Sequence, residues 1–156
     1  MFTVSEIYHL AMKLEENGEA FYRAAMKRAT SGPIRDLLQW LANEEVAHRE
    51  WFARREAAVR GTPNDIALDE MGNKMLQDIV GGQTFSLGEA NPADIGSVSE
   101  MIRLAIEFEE DTIIFFNLIA TLVGDKETLT HLTEIIEEEK RHVSALKEKI
   151  RENSEQ

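Results

Sequence analysis

Cysteine is absent from the 156-residue sequence, and proline occurs only three times. Without cysteine, the chain can form neither disulfides nor the thiolate sites that hold zinc or iron–sulfur clusters. The scarcity of proline leaves long stretches free to form uninterrupted helices. These two absences favour a helical protein whose chemistry, if any, rests on oxygen and nitrogen ligands.

Basic residues and long apolar runs are also scarce. The chain has 17 Lys and Arg against 29 Asp and Glu, which gives a net charge of −12. This acidity argues against binding to nucleic acid or to an anionic membrane surface. No apolar run is long enough to span a bilayer, and residues 1–6 lack the features of a signal peptide. We therefore expect a cytoplasmic protein without a membrane or nucleic-acid partner.

Apolar residues recur at helical spacing along most of the chain. Hydrophobic residues make up 43% of it, and its length suits a single domain, residues 1–156, with a sizeable core. The spacing predicts four long helices, over residues 3–30, 33–60, 97–124 and 125–152. Thr3 with Glu6, and Ser97 with Glu100, predict capping boxes at two of the helix starts.

Residues 61–96 connect the second and third of these helices. The connection is too long for a tight turn, and it suits an all-α four-helix bundle with one long crossover. A short helix is predicted over residues 65–80, with Met71, Met75 and Ile79 as its apolar side. We expect part of the crossover to cover the bundle or a partner subunit in a homodimer. The apolar residues behind that expectation are Met71, Met75, Ile79, Val80 and Phe85.

The sequence repeats itself at an offset of 94 residues. Glu45 precedes His48 by three positions, and Glu139 precedes His142 by the same spacing, which puts each pair on one helix face. Each motif also has a glutamate thirty residues upstream, Glu15 in one half and Glu109 in the other. The repeat predicts two helical hairpins, residues 3–60 and 97–152, related by a pseudo-twofold axis.

These six residues lie on or beside apolar stripes, where unpartnered charge is costly. A single Glu-Xaa-Xaa-His motif usually has no special role, but here it is duplicated, with equal upstream spacing. Four converging carboxylates would repel one another and lose hydration. Two divalent cations would neutralise them with both imidazoles neutral. Mixed oxygen and nitrogen ligands suit iron or manganese, and six ligands are too many for one structural zinc.

Ferritin-like di-metal carboxylate proteins share this ligand pattern: two helices supply one Glu each, and the other two supply Glu-Xaa-Xaa-His each. The sequence resembles that superfamily, and within it the rubrerythrin branch, over nearly its whole length. The resemblance is carried by Glu15 with Phe21-Tyr22, Glu44-Glu45-Xaa-Xaa-His48, Ala105 with Glu109, and Glu138-Glu139-Xaa-Xaa-His142. It implies two iron ions, with manganese or a mixed site possible, and reduction of peroxide or dioxygen. The implied ligands are Glu15, Glu45, His48, Glu109, Glu139 and His142, with Glu45 and Glu139 as bridges.

Two features depart from the rubrerythrin pattern. The chain lacks the cysteine-rich rubredoxin domain, so an external, rubredoxin-like electron donor would be required. Thr112 occupies the position where rubrerythrins carry a further Glu. Thr112 and Gly18 could leave open space beside the metals, or Gly18 could merely permit close helix packing. Tyr22 is either a hydrogen-bond donor to the site or a core aromatic residue.

Three functions fit these residues. The first is a di-iron oxidoreductase that reduces peroxide or dioxygen. The second is oxidation and storage of ferrous iron, as in ferritins, which requires a closed shell of subunits. The third is a structural bundle in which the metal does not turn over. Oligomer size separates the first two, and redox activity separates the third.

Overall fold

A computed structural model describes residues 3–81 and 97–154, and within them it contains five α-helices and no β-strand. Four long helices form the bundle, and a short one lies in the crossover. Their bounds are α1 Val4–Met26, α2 Gly32–Val59, α3 Glu70–Gly81, α4 Val98–Leu122 and α5 Lys126–Ser154. The prediction of an all-α bundle is confirmed.

Side-chain caps set the starts of the long helices. Thr3 and Glu6 form the predicted capping box on α1, with Thr3 Oγ1 3.3 Å from the Glu6 amide. Ser97 Oγ accepts the Glu100 amide of α4 at 3.1 Å. The hairpin turns supply the other caps. Ser31 caps α2, and Asp125 Oδ2 accepts the Thr128 amide of α5 at 2.8 Å.

The first helix ends at Met26, four residues earlier than predicted. The amide of Lys27 bonds to the Ala24 carbonyl at 3.2 Å, and that of Arg28 bonds to the Ala25 carbonyl at 3.0 Å, so the last turn tightens. Arg35 of α2 then donates to the Ala29 carbonyl at 2.6 Å and holds the turn. Helix α2 stops one residue before Arg60, and Gly61 adopts a positive φ of 74°.

The bundle consists of two hairpins, α1 with α2 and α4 with α5. Helix α1 also contacts α4, and α2 contacts α5, so the four apolar stripes enclose one core. Phe52 and Phe116 join the hairpins, with ring centroids 5.0 Å apart. Both are fully buried, and burial of such a ring stabilises a fold by about 1.5–3 kcal/mol.

The crossover begins by crossing the N-terminal end of α1. Asp65 accepts hydrogen bonds from the Ser5 amide and hydroxyl, each at 2.9 Å. Asp69 Oδ1 then accepts the Gly72 amide at 2.7 Å, and this bond caps α3. Residues 65–69 are not helical, and Leu68 among them is buried, so α3 starts at Glu70 rather than at residue 65.

Two residues of the predicted apolar side of α3 face away from this chain's own bundle. Met71 is 74% exposed and Met75 is 46% exposed, whereas Leu68 and Asn73 are buried. The side chains of Ile79 and Val80 lie outside the described part of the chain. The Asn73 side chain donates to the Leu68 carbonyl at 3.0 Å, which orients the helix with its methionines outward. Phe85 lies outside the described residues. Within the part that is described, no helix combines the length and hydropathy needed to cross a membrane.

Candidate metal centre

The six candidate ligands converge at the centre of the bundle. Helix α1 contributes one of them, α4 another, and α2 and α5 contribute two each. All are at most 3% exposed: Glu15, Glu45, His48, Glu109, Glu139 and His142. The structure therefore brings together every residue that the repeat singled out.

The potential ligand atoms form two overlapping groups. One comprises Glu45, Glu109, Glu139 and His142; the other comprises Glu15, His48 and Glu139. Within each group, the ligand atoms all lie within 4.8 Å of one another. Glu139 belongs to both groups, as expected of a bridging carboxylate. Glu45 belongs to one group, so its bridging role stays a prediction.

Both imidazoles point the same ring nitrogen inward. His48 Nδ1 lies 2.8 Å from Glu139 Oε1, and His142 Nδ1 lies 3.2 Å from Glu139 Oε2. The other ring nitrogen of each histidine faces a glutamate of the opposite hairpin whose side chain is about one-third exposed. His48 Nε2 lies 2.5 Å from Glu138 Oε2, and His142 Nε2 lies 3.8 Å from Glu44 Oε1.

Several buried oxygens of the cluster have no hydrogen-bond donor. Both carboxylate oxygens of Glu15 and of Glu45, together with Glu109 Oε2, are buried without a partner. Buried polar atoms are almost always satisfied, so five such oxygens in one place point to a bound cation or to bound protons. A cation at each group would supply the missing partner.

The pKa values reflect a crowded site of like charge. Burial and the charge of Glu139 raise the pKa of Glu109 to about 8, and burial and Glu109 raise that of Glu45 well above its usual value. Burial would lower the pKa of His48, but hydrogen bonds to Glu139 and Glu15 raise it to about 12. Protons therefore compensate the carboxylates when no metal is present.

The donor set fits a pair of hard or borderline cations. It contains carboxylate oxygens and imidazole nitrogens, without sulfur, which matches iron or manganese. Four carboxylates balance the charge of two divalent ions once both imidazoles are neutral. The six residues would hold the ions, and the ions would supply redox chemistry that protein side chains lack.

Comparison with known proteins agrees with this geometry. A family model described as rubrerythrin matches residues 6–150. The chain belongs to the rubrerythrin family. Its fold is similar to a crystal structure described as a ferritin-like diiron-carboxylate protein from Thermotoga maritima. The TM-score is 0.76 at 24% identity, over 97% of each chain. No curated protein matched the sequence.

The family resemblance and the ferritin-like fold predicted from the sequence are thus confirmed. Other residues of this rubrerythrin-family protein surround the candidate ligands. Tyr22 is fully buried, and its hydroxyl donates to Glu109 Oε1 at 2.6 Å. Burial and the negative charge of Glu109 raise the pKa of Tyr22 well above its usual value. Of the two interpretations of Tyr22, the structure favours the donor, because the phenol contacts a candidate ligand directly.

Gly18 and Thr112 do not share one role. A Cβ at Gly18 would lie 3.0 Å from Glu45 Oε2 and 3.2 Å from a ring carbon of Phe108. The missing side chain therefore lets the Glu45 carboxylate approach α1, which favours close packing over open space. Thr112 is 1% exposed, and its hydroxyl donates to the Phe108 carbonyl at 2.9 Å. Its hydroxyl is thus turned to the backbone of its own helix.

Three neighbours of the site were not predicted as functional. Glu44 and Glu138 precede the motif glutamates at equivalent repeat positions, and each reaches the histidine of the other hairpin. Their equal spacing was a usable signal. Trp40 packs edge-on against the His142 ring, with centroids 5.1 Å apart. No spacing rule indicated this contact, because position 134, its repeat equivalent, is Glu.

Glu138 should act on metal affinity through His48. A carboxylate that accepts the outer N–H of a ligand imidazole fixes its tautomer and orientation. We expect Glu138→Gln to weaken metal binding by about 10- to 100-fold, as for other such partners. The matched control is Glu137→Gln, whose side chain is exposed and pairs with Lys140. Competitive titration with a metal chelator measures the effect, and equal affinities for both variants would contradict it.

Proposed function

We propose that this rubrerythrin-family protein is a di-iron oxidoreductase that reduces peroxide or dioxygen with electrons from an external donor. One observation carries the proposal: two groups of buried ligands share Glu139. A shared carboxylate couples two ions, so that one site can deliver two electrons together. Ferrous-iron storage uses similar ligands, but no observation on the described residues favours it.

The iron ions, when bound, supply the electrons. Reduction of hydrogen peroxide to two water molecules takes two electrons and two protons, and two ferrous ions held by the six candidate ligands would supply the two electrons. An external one-electron donor, such as a rubredoxin-like protein, would then restore each ion in turn. This chain has no cysteine with which to build its own thiolate relay.

The protein's own groups prepare the site for this chemistry. Glu139, which belongs to both groups, would hold the two ions close enough together to share one substrate molecule. Tyr22 donates to Glu109 from within the core, so this carboxylate has a defined orientation before any ion binds. Phe52 follows His48 by four residues on α2, and its fully buried ring packs against that of Phe116 on α4, which ties the two hairpins together.

Rapid mixing tests the reaction class. Protein loaded with ferrous iron without oxygen should be oxidised by peroxide much faster than free ferrous iron under the same conditions. Turnover should be slow with peroxide alone and should rise when a rubredoxin-like reductant is added. Oxidation no faster than that of free iron would refute the enzymatic role and favour a structural metal.

We also propose that the protein acts as a homodimer rather than as a storage shell. Met71 and Met75 on α3 are exposed in the single chain, which is consistent with cover from a second copy. Light scattering at micromolar concentration should give twice the chain mass of 17.7 kDa. A monomer would refute the dimer, and a large closed shell would favour iron storage instead.

A further inference from the structure

Trp40 connects a candidate metal ligand with the surface of the protein. Its ring stands at 80° to the His142 ring, at a centroid distance of 5.1 Å. His142 is fully buried, but Trp40 is 40% exposed. A molecule in solution cannot touch His142, whereas it can touch the indole that packs against it.

The contact is specific to one side of the pseudo-twofold site. The position equivalent to Trp40 in the second half of the chain is Glu134, which is exposed. His48 therefore has no aromatic residue at the matching place. Trp40 as a residue is 40% exposed, so the side chain that packs against His142 also reaches the surface of the protein.

The other oxidisable aromatic residues are placed differently. Tyr22 contacts Glu109 but is fully buried, so an external reductant cannot reach it. Trp51, the second tryptophan of the chain, stacks on His131 and packs against Phe52. Among the described tyrosines and tryptophans, Trp40 alone combines ring contact with a candidate ligand and large exposure.

We propose that Trp40 is a one-electron relay between the metal centre and an external reductant, an inference that rests on the function proposed above. Indole is among the most easily oxidised side chains. It would give one electron to the oxidised centre and release its N–H proton to water. A one-electron donor at the surface would return the electron, and water would return the proton.

The relay would supply electrons that two ferrous ions alone cannot provide. Reduction of dioxygen to two water molecules takes four electrons and four protons, but two ferrous ions provide only two electrons. The remaining two would come from the external donor and pass singly through Trp40. Without a donor, the oxidising equivalents would accumulate on the indole and modify it.

Peptide mass spectrometry tests the relay through the chain's two tryptophans. Ferrous-loaded protein is mixed with excess dioxygen without reductant, and oxygen addition is measured at Trp40 and Trp51. The control for simple exposure is zinc-loaded protein treated with dioxygen and free ferrous iron. We expect the ratio of Trp40 to Trp51 modification to be several times higher in the iron-loaded protein, and ascorbate to lower it. An equal ratio in the two samples would overturn the relay.

Spectroscopy on two variants gives an independent result. Freeze-quenched samples should show a tryptophan radical signal in the wild type and in Trp51→Phe, but not in Trp40→Phe. Iron content, measured on each sample, shows that the variants retain the site. Rapid iron oxidation with the same radical signal in all three proteins would overturn the relay alone. Oxidation no faster than that of free iron would overturn both the relay and the proposed function.

Discussion

Replacement of Glu139 with Gln should abolish the binding of both metal ions, whereas Glu15→Gln should abolish the binding of one. Glu139 belongs to both ligand groups, but Glu15 belongs only to the group with His48. Gln keeps the shape of Glu and removes the charge on which both ions depend. The loss of metal affinity in Glu139→Gln should exceed the 10- to 100-fold effect typical of residues that only orient a ligand.

Metal analysis after anaerobic loading measures this difference. Glu137→Gln is the matched control, because it removes a charge from an exposed position two residues away. Circular dichroism shows whether each variant keeps its helices. Full metal occupancy in Glu139→Gln would refute the bridging role of Glu139. Equal losses of metal in Glu139→Gln and Glu15→Gln would contradict the two-group arrangement.

The second large effect is a pH dependence of the metal-free protein that bound metal removes. In metal-free protein, folding holds Glu109 protonated up to a pKa of about 8, against an ordinary value of 4.5. The folded chain thus binds more protons than the unfolded chain over this interval, and stability falls as pH rises. His142 acts in the same direction, since Glu109 and Glu139 outweigh burial and raise its pKa from 6.5 to about 10.

The melting temperature of the metal-free protein should therefore fall between pH 6 and pH 9. Metal displaces these protons, so its affinity should rise over the same interval. An ion at a thousand times its Kd stabilises the fold by about 4 kcal/mol, which raises the melting temperature by on the order of 10 °C. Thermal unfolding with and without metal, measured across this pH range, checks both the fall in the metal-free melting temperature and the rise in metal affinity. A metal-free melting temperature that rises with pH would contradict them.

The convergence of the six candidate ligands could be predicted from the sequence because two periodicities coincide at these positions. The helical period places Glu15 and Glu109 beside apolar stripes, and the 94-residue repeat matches them to each other. A chance charge on a helix would not satisfy both conditions. The four long helices followed for the same reason, and their capping residues marked two of the starts.

The crossover could not be predicted in the same way. Periodicity identified an apolar side of α3 but could not tell whether that side faces this bundle. The orientation of α3 is set by two hydrogen bonds that periodicity cannot reveal. One is the tertiary bond from Ser5 to Asp65, and the other is the loop bond from Asn73 to the Leu68 carbonyl. The outward orientation of Met71 and Met75 follows from those contacts.

The role of Gly18 also depended on tertiary structure. Its helical position suggested either a cavity or close packing, and the distance to Glu45 decided between them. The sequence could not place Trp40 beside the site, because an aromatic residue on an amphipathic helix ordinarily packs in the core. Only the placement of α5 beside α2 shows that its neighbour is His142.

Iron stoichiometry is the most direct test of a coupled site built from two groups. Wild-type protein purified without oxygen should bind two ferrous ions per chain. After oxidation, Mössbauer spectra should show ferric ions coupled through a bridge. Two ions that are not coupled, or a single ion per chain, would contradict a site in which Glu139 joins both groups.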